Sequence, residues 1–348
     1  MDRYHEIVWE DTNSIILSPV PWELLRGKTV LITGANGGVP SYIVYTLMAL
    51  NTQCQYDVQV LALVRNEERA QARFSDILSR KDFTLLVQDV SESVNIDGPI
   101  DFIIHAASDA TLSRVFSQPV DILSSNLLGT YRMSDLALSK KGAVVLYISS
   151  IAVYGYIWSD ASITEKHFTG IDCMDIRYCY IEAKRAGEML CEAYYTQYQL
   201  PVTSVRLGTV LVPGLSLEKG SLVAEFTECA ATRCNIMLKS SGQSLRTYIP
   251  ICDVISGIFY ALLKGVRGEA YNVAHKKCIY SILDMARLFM RLSGSMGDVI
   301  VEKQEESKTE FKEHHFCIDG TKLELLGWKP SCNVEKAVYN MIEVARVT

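Results

Sequence analysis

Residues 29–50 read TVLITGANGGVPSYIVYTLMAL: a short apolar strand, a turn of small residues, then an apolar helix. The span from Thr29 to Tyr56 carries no Asp, Glu, Lys or Arg and is long enough to suggest a membrane crossing. Gly34, Asn36, Gly37, Gly38 and Pro40 interrupt it, so strand, turn and helix explain it better. Glycines at such a turn let the backbone come close to a pyrophosphate, and the helix N-terminus offers free N–H groups with a partial positive charge. Gly34, Asn36, Gly37 and Gly38 are therefore candidate phosphate contacts, although any tight turn can be rich in glycine. Pro40 stands where a third glycine is expected. In the first helical turn a proline loses no hydrogen bond, so the helix need not break.

Working outward, the same alternation repeats. Strand-length apolar runs at 58–64, 84–88, 101–106, 143–149 and 201–207 read as strands, and stretches near 38–50, 66–79, 119–140 and 176–199 read as helices. Strands this apolar, joined by helix-length connections, need both sheet faces covered. The expected fold class is α/β, a doubly wound parallel sheet of the Rossmann, dinucleotide-binding kind. After about residue 210 the alternation breaks down, which predicts a smaller C-terminal substrate-binding lobe. The expected division is an N-terminal extension at 1–25, a dinucleotide-binding domain at 26–208 and a substrate lobe at 209–348, with segments exchanged between lobes. The segment before Trp22 carries no motif.

Composition narrows the function. With 348 residues, 49% hydrophobic and 21% charged, the chain can bury a large core and is not intrinsically disordered. A net charge of −6 with no basic run argues against nucleic acid as a partner, while small anionic ligands stay open. The ten cysteines are scattered without a C-x-x-C pair, so neither a disulfide framework nor a metal site is expected. The charged N-terminus lacks the order of a secretory signal, and a reducing cytoplasm, with no membrane partner, is the natural compartment.

Several side chains could carry chemistry. Arg65 ends the second strand, where a guanidinium suits a 2′-phosphate and favours NADP over NAD; the alternative is an exposed arginine at a strand end. Asp89, after the third strand, either accepts from an adenine amino group or caps the next turn. Tyr180 and Lys184 are four apart on one helix face, where an ammonium favours the phenolate and the pair can move a proton to or from a sugar hydroxyl or carbonyl. Alone, such a spacing usually marks a solvated helix face. Ser149 and Ser150 close the fifth strand, at the carboxyl edge where ligands bind in such sheets. His105, Ala106, Ala107 and Ser108 close the fourth; His105 reads as a packing or cofactor-contact residue rather than a catalytic base. Asn126 offers an amide for a water or a backbone carbonyl.

Taken in order, LITGANGG, DFIIHAAS, NLLGT, ISSIAVYG, YIEAKRAGE, VRLGTVLVPG, GQSLRTYIPICDV, YNVA and LELLGWKP resemble the extended short-chain dehydrogenase/reductases, the nucleotide-sugar epimerase/dehydratase family. The likeness spans about residues 26–335. It implies Ser150 as the hydroxyl that orients the reacting oxygen, Tyr180 as acid/base, and Lys184 as its pKa-lowering partner and a ribose contact. It implies Gly34, Gly37 and Arg65 at the cofactor phosphates, Asp89 and Val90 near adenine, and His105, Ala106, Ala107 and Asn126 along the cofactor path. The implied substrate is a nucleotide-diphosphate sugar, touched by Ser108, Ser150, Tyr154, Thr209 and Arg246. Arg246, in G-x-x-x-R-x-Y, would meet the pyrophosphate; the alternative is a surface salt bridge. Thr209 stands where many relatives have Asn. Relatives commonly form homodimers through the helices matching 119–140 and 176–199.

Sugar 4,6-dehydratases of the family resemble T-D-E-V-Y-G at the strand-five motif. Here Ser150 is followed by Ile151 and Ala152, which cannot transfer a proton. That argues against dehydration, and the missing Glu argues equally against nucleotide-sugar decarboxylases. The expectation is an oxidoreductase: NADPH-dependent C4 ketoreduction of an NDP-4-keto-6-deoxyhexose for glycan precursor synthesis. The alternative is a 4-epimerase with tightly held NAD(P). A third reading, from another class, is a non-catalytic NADP(H) sensor on the same fold.

Overall fold

Residues 2–108, 112–155, 162–214, 221–294, 297–302 and 315–347 are described by a computed structural model. The first half runs α1 (Arg3–Ile16), β1 (Thr29–Thr33), α2 (Gly38–Cys54), β2 (Gln59–Val64), α3 (Glu67–Arg73) and β3 (Phe83–Val87). It continues through β4 (Phe102–His105), α4 (Leu112–Ser117), α5 (Pro119–Ser139), β5 (Val144–Ser150), α6 (Cys179–Tyr198) and β6 (Val202–Leu207). Beyond it come β7 (Thr209–Leu211), α7 (Leu222–Thr232), β8 (Ile236–Leu238), β9 (Leu245–Pro250), α8 (Ile251–Lys264) and β10 (Ala270–Val273). The chain closes with β11 (Ile279–Ser281), α9 (Ile282–Ser293), β12 (Val299–Val301), α10 (Thr321–Leu325) and α11 (Val334–Ala345).

Seven strands form one sheet in the order β10-β6-β5-β4-β1-β2-β3, and every pairing in it is parallel. The expected doubly wound sheet is therefore present. Side chains alternate between its faces: Val30 and Ile32 of β1 join the cluster under α1, α2 and α8, while Leu31 joins the one under α5 and α6. The chain leaves β1 toward β2 on one side and later returns to place β4 on the other, so the order reverses between β1 and β4. That switch point opens a crevice at the carboxyl ends of both strands. A second sheet, β11-β9-β7, stands beside it, and β8 pairs with β12.

The segment before Trp22, which carries no motif, folds as α1. Asp2 caps it by accepting from the His5 N–H. Its buried face (Tyr4, Ile7, Val8, Ile15) lies on α2, and the Tyr42 hydroxyl of α2 donates to Asp11 at 3.1 Å. This explains why α2 lacks charge: with the sheet on one side and α1 and α8 on the other, it is buried all round from Pro40 to Leu50 and only its last turn meets solvent. No helix among the described residues is long and apolar enough to cross a membrane.

The predicted helix at 66–79 is shorter than expected, ending at Arg73. Phe74 and Ile77 turn into the core, while Asp76 is taken by the Tyr45 hydroxyl at 2.7 Å and the Trp9 indole at 2.8 Å. These tertiary contacts replace the next helical turn with tight turns.

Candidate active site

The phosphate turn fills the switch point. Gly34 has φ +62°, and a Cβ there would stand 2.8 Å from the Ala107 Cα. Only glycine tolerates both demands, so the ends of β1 and β4 approach as closely as backbones can. Thr33 locks them: its Oγ1 accepts from the Ala106 N–H at 3.1 Å and the Ala107 N–H at 3.0 Å. Gly37 is the N-cap of α2, and Pro40 sits in its first turn without breaking it: the Ser41 N–H still reaches the Gly37 carbonyl at 3.0 Å. The N–H groups of Gly38 and Val39 have no acceptor within the helix. This cradle fits a dinucleotide pyrophosphate. Asn36 is half-buried in the turn, and Ser108 is exposed just beyond Ala107.

Arg65 lies at the β2 end with 58% of its side chain exposed, and its Nη1 is 3.8 Å from Asp89. Asp89 caps the following turn, accepting from the Ser91 N–H at 2.9 Å and hydroxyl at 2.7 Å. Burial works to raise its pKa, but these bonds and Arg65 outweigh it and hold the carboxyl below its ordinary range.

Two residues expected along the cofactor path have buried side chains, and of the two partners expected for the Asn126 amide the structure shows the backbone carbonyl. Asn126 is wholly buried, its amide donating to the Ile122 carbonyl at 2.8 Å and accepting from the Tyr147 hydroxyl at 3.4 Å. It orders α5 against β5 and presents no amide to a cleft. Val90 is likewise interior, pressed toward Gly129 of α5. His105 is buried beside Thr33, its Nδ1 2.8 Å from Oγ1. Burial, reinforced by Lys184, drives its pKa down to about 3, so it stays neutral. This is a packing residue.

The catalytic candidates gather where α6 crosses the end of β5. Lys184 is buried, its Nζ donating to the Ile148 carbonyl at 2.7 Å, and it lies 4.8 Å from the Tyr147 ring centre and 6.0 Å from that of Tyr180. Burial pulls its pKa down to about 7 against the opposing pull of Glu188. Arg185 adds a second stitch, donating to the Val153 carbonyl at 2.7 Å and that of Thr169 at 2.8 Å. Gly187 permits the approach, because a Cβ there would stand 2.3 Å from the Tyr147 hydroxyl. Half-buried Tyr180 lies one turn before Lys184, packed against the cluster of Val115, Ile122, Cys179 and Ala183, and α6 as a whole contacts the turn that follows Ser150. Ser150 caps that turn, accepting from the Ala152 N–H at 3.1 Å, and Ile151 and Ala152 put no carboxylate beside it.

Tyr154 is also corrected. Its ring has no exposed surface, and its hydroxyl donates to Asn272 at 2.6 Å and accepts from Arg206 at 3.0 Å. Burial pushes its pKa up to about 12 despite Arg206. Its hydroxyl thus serves a buried network rather than a sugar pocket. That network, whose members Glu188, Arg206 and Asn272 lie inside the motifs YIEAKRAGE, VRLGTVLVPG and YNVA without a role assigned there, joins Arg206 of β6 to Glu188 of α6 at 2.6 Å and Asn272 of β10 to Glu165 at 2.8 Å. An arginine inside an apolar strand, Arg206 in PVTSVRL, was a further signal in the sequence.

Thr209 and Arg246 lie on the second sheet, Thr209 in register with Tyr248, two residues beyond Arg246. The Arg246 guanidinium donates to the Leu245 carbonyl at 3.0 Å, and burial lowers its pKa. This sheet borders the first site at two points: position 208 is beside Ile151, and Val212 faces Gly38.

Known proteins share this architecture. A UDP-N-acetylglucosamine 4-epimerase from Methanobrevibacter ruminantium M1 superposes with TM-score 0.77 at 16% identity, over 92% of this chain and 98% of that one. A dTDP-glucose 4,6-dehydratase from Bacillus anthracis, solved with NAD, gives 0.73 at 17% identity over 91% and 96%. In sequence the chain is 28% identical to UDP-glucuronic acid decarboxylase 1 of Xenopus tropicalis, over 92% of this chain and 72% of that one. A family model matches residues 30–274, from β1 through β10 and thus across both halves of the crevice; by that match the chain belongs to the NAD dependent epimerase/dehydratase family.

Proposed function

We propose that this protein is a nucleotide-sugar oxidoreductase that reduces the C4 ketone of an NDP-4-keto-6-deoxyhexose with NADPH. The observation that supports it is the turn after β5. Ser150 is retained, while the next two positions are Ile151 and Ala152, leaving chemistry at a single carbinol or ketone. Decarboxylases are among the chain's relatives, but the same two apolar residues leave it without their glutamate.

The nicotinamide supplies hydride when bound. The chain's own residues do the rest: the α2 N-terminus and Gly34 hold the pyrophosphate, and Arg65 turns from Asp89 to a 2′-phosphate. Ser150 donates to the sugar oxygen and fixes its position, while Tyr180 delivers the proton to it. Lys184, anchored on Ile148, favours the ionised phenol left behind. Arg246 grips the sugar's diphosphate. Positioning and proton transfer together account for the acceleration. A homodimer through α5 and α6 belongs to the same reading.

Ser150, Tyr180 and Lys184 without carboxylates would also serve 4-epimerisation, and a relative's structure carries NAD. The test is a panel of NDP-4-keto sugars with NADPH and NADH, followed at the nicotinamide absorbance. Oxidation of NADPH in preference to NADH is expected. Interconversion of NDP-hexoses without net cofactor oxidation would transfer the assignment to an epimerase, and release of CO2 from UDP-glucuronate would transfer it to a decarboxylase.

A further inference from the structure

Away from the crevice, His275, Cys278 and Cys332 meet with one potential ligand atom each, all within 4.8 Å of one another. Nothing in the sequence signals this: His275 and Cys278 follow β10, whereas Cys332 arrives just before α11. We propose that these three side chains form a site for a thiophilic divalent cation, zinc, with solvent as the fourth ligand.

The ligand types match, since two thiolates and an imidazole are zinc's preferred soft donors. The spacing is near what is needed: zinc–sulfur bonds of about 2.3 Å put tetrahedral ligand atoms about 3.8 Å apart. Cys332 Sγ is already 3.1 Å from His275 Nδ1. The imidazole is oriented for the task. Its Nδ1 is the nitrogen that faces Cys332, and its long 3.2 Å bond from the Lys277 N–H is one the cation would displace. Its Nε2 then carries the proton toward Glu324, 3.8 Å away, the carboxylate–histidine arrangement that supports metal-bound imidazoles.

Cys332 is held in place at a cost. Its φ of +57° is in the left-handed region that a residue with a Cβ avoids. Asp253 enforces it, accepting from the Ser331 N–H at 2.6 Å and the Cys332 N–H at 2.8 Å. Cys278 is buried, while His275 and Cys332 are half-buried, which leaves an open side for entry and for solvent. Two thiolates and one divalent ion would form a neutral unit, clasping the β10 loop to the segment that leads into α11.

The experiment is titration of the full chain, purified under reductant and stripped with chelator, with Zn2+ against a chromogenic chelator and with Co2+ by absorbance. One tightly held ion per chain is expected, with a thiolate-to-cobalt charge-transfer band and a raised Tm. Cys278→Ser and Cys332→Ser should each abolish the band, while Cys173→Ser and Cys234→Ser, at exposed thiols, should leave it unchanged. Glu324→Gln should weaken affinity by about tenfold. A second readout needs no variant: Zn2+ should slow alkylation of Cys332 and not of Cys234, by peptide mass spectrometry. Absence of stoichiometric binding, an unchanged band in the two variants, or a Cys278–Cys332 disulfide in a chain that takes up no metal would overturn the proposal.

Discussion

Lys184 shows how one buried side chain ties structure to chemistry. Its ammonium donates to the Ile148 carbonyl, and burial holds its pKa near 7. In the reduction, Tyr180 must start protonated beside a charged Lys184. The active form is thus the protonated one, present below that pKa and lost above it. The kcat/KM for ketoreduction should therefore fall as pH rises through about 7; a profile flat between about pH 6 and pH 9 would refute this role for the lysine. Tyr180→Phe removes the transferred proton and nothing that binds phosphate. Turnover should drop about 10²- to 10⁴-fold, with dinucleotide affinity by fluorescence titration unchanged. A sensor protein would keep its output in that variant, so the same measurement separates the two classes.

At the level of elements, the site depends on how α6 is tied to its neighbours. Lys184 and Arg185 fasten it to the end of β5 and the turn that follows, Gly187 lets it settle on Tyr147, and Glu188 pairs with Arg206 of β6. The two charges are only 14% and 15% exposed, so solvent does little to screen them. Glu188→Ala strands a buried guanidinium and should cost about 3–5 kcal/mol, read as a lower urea midpoint. The double variant Glu188→Leu/Arg206→Met should recover much of that loss; no recovery would mean the pair has a role beyond charge balance. α1 illustrates the same dependence from the other face. It covers an apolar α2 that would otherwise expose a helix-long hydrophobic surface.

For the whole molecule, the exposed side of α5 and α6 carries Leu128, Tyr131 and Met189, with 49%, 43% and 68% of their surfaces open. Exposed apolar groups on these two helices are what the proposed homodimer would cover. Sedimentation should give twice 38.9 kDa, and Leu128→Glu with Met189→Glu should halve it; a monomer in the unsubstituted chain would remove that part of the proposal.

The strands through residue 207, the helices α2, α5 and α6 and the glycine turn, though not α1 or α4, were legible in the sequence. Each is set by local rules: alternation, helical period, and glycine where backbones must meet. The sequence also held the absence of acid after Ser150, because that is a matter of identity alone. Only the tertiary structure decided that Tyr154 and Asn126 face inward, that β10 returns to the main sheet, and that α1 shields α2. It alone joined Arg206 to Glu188 and brought Cys332 to His275 and Cys278. These are contacts between residues far apart along the chain, and no local periodicity records which side chains a fold will place within bonding distance.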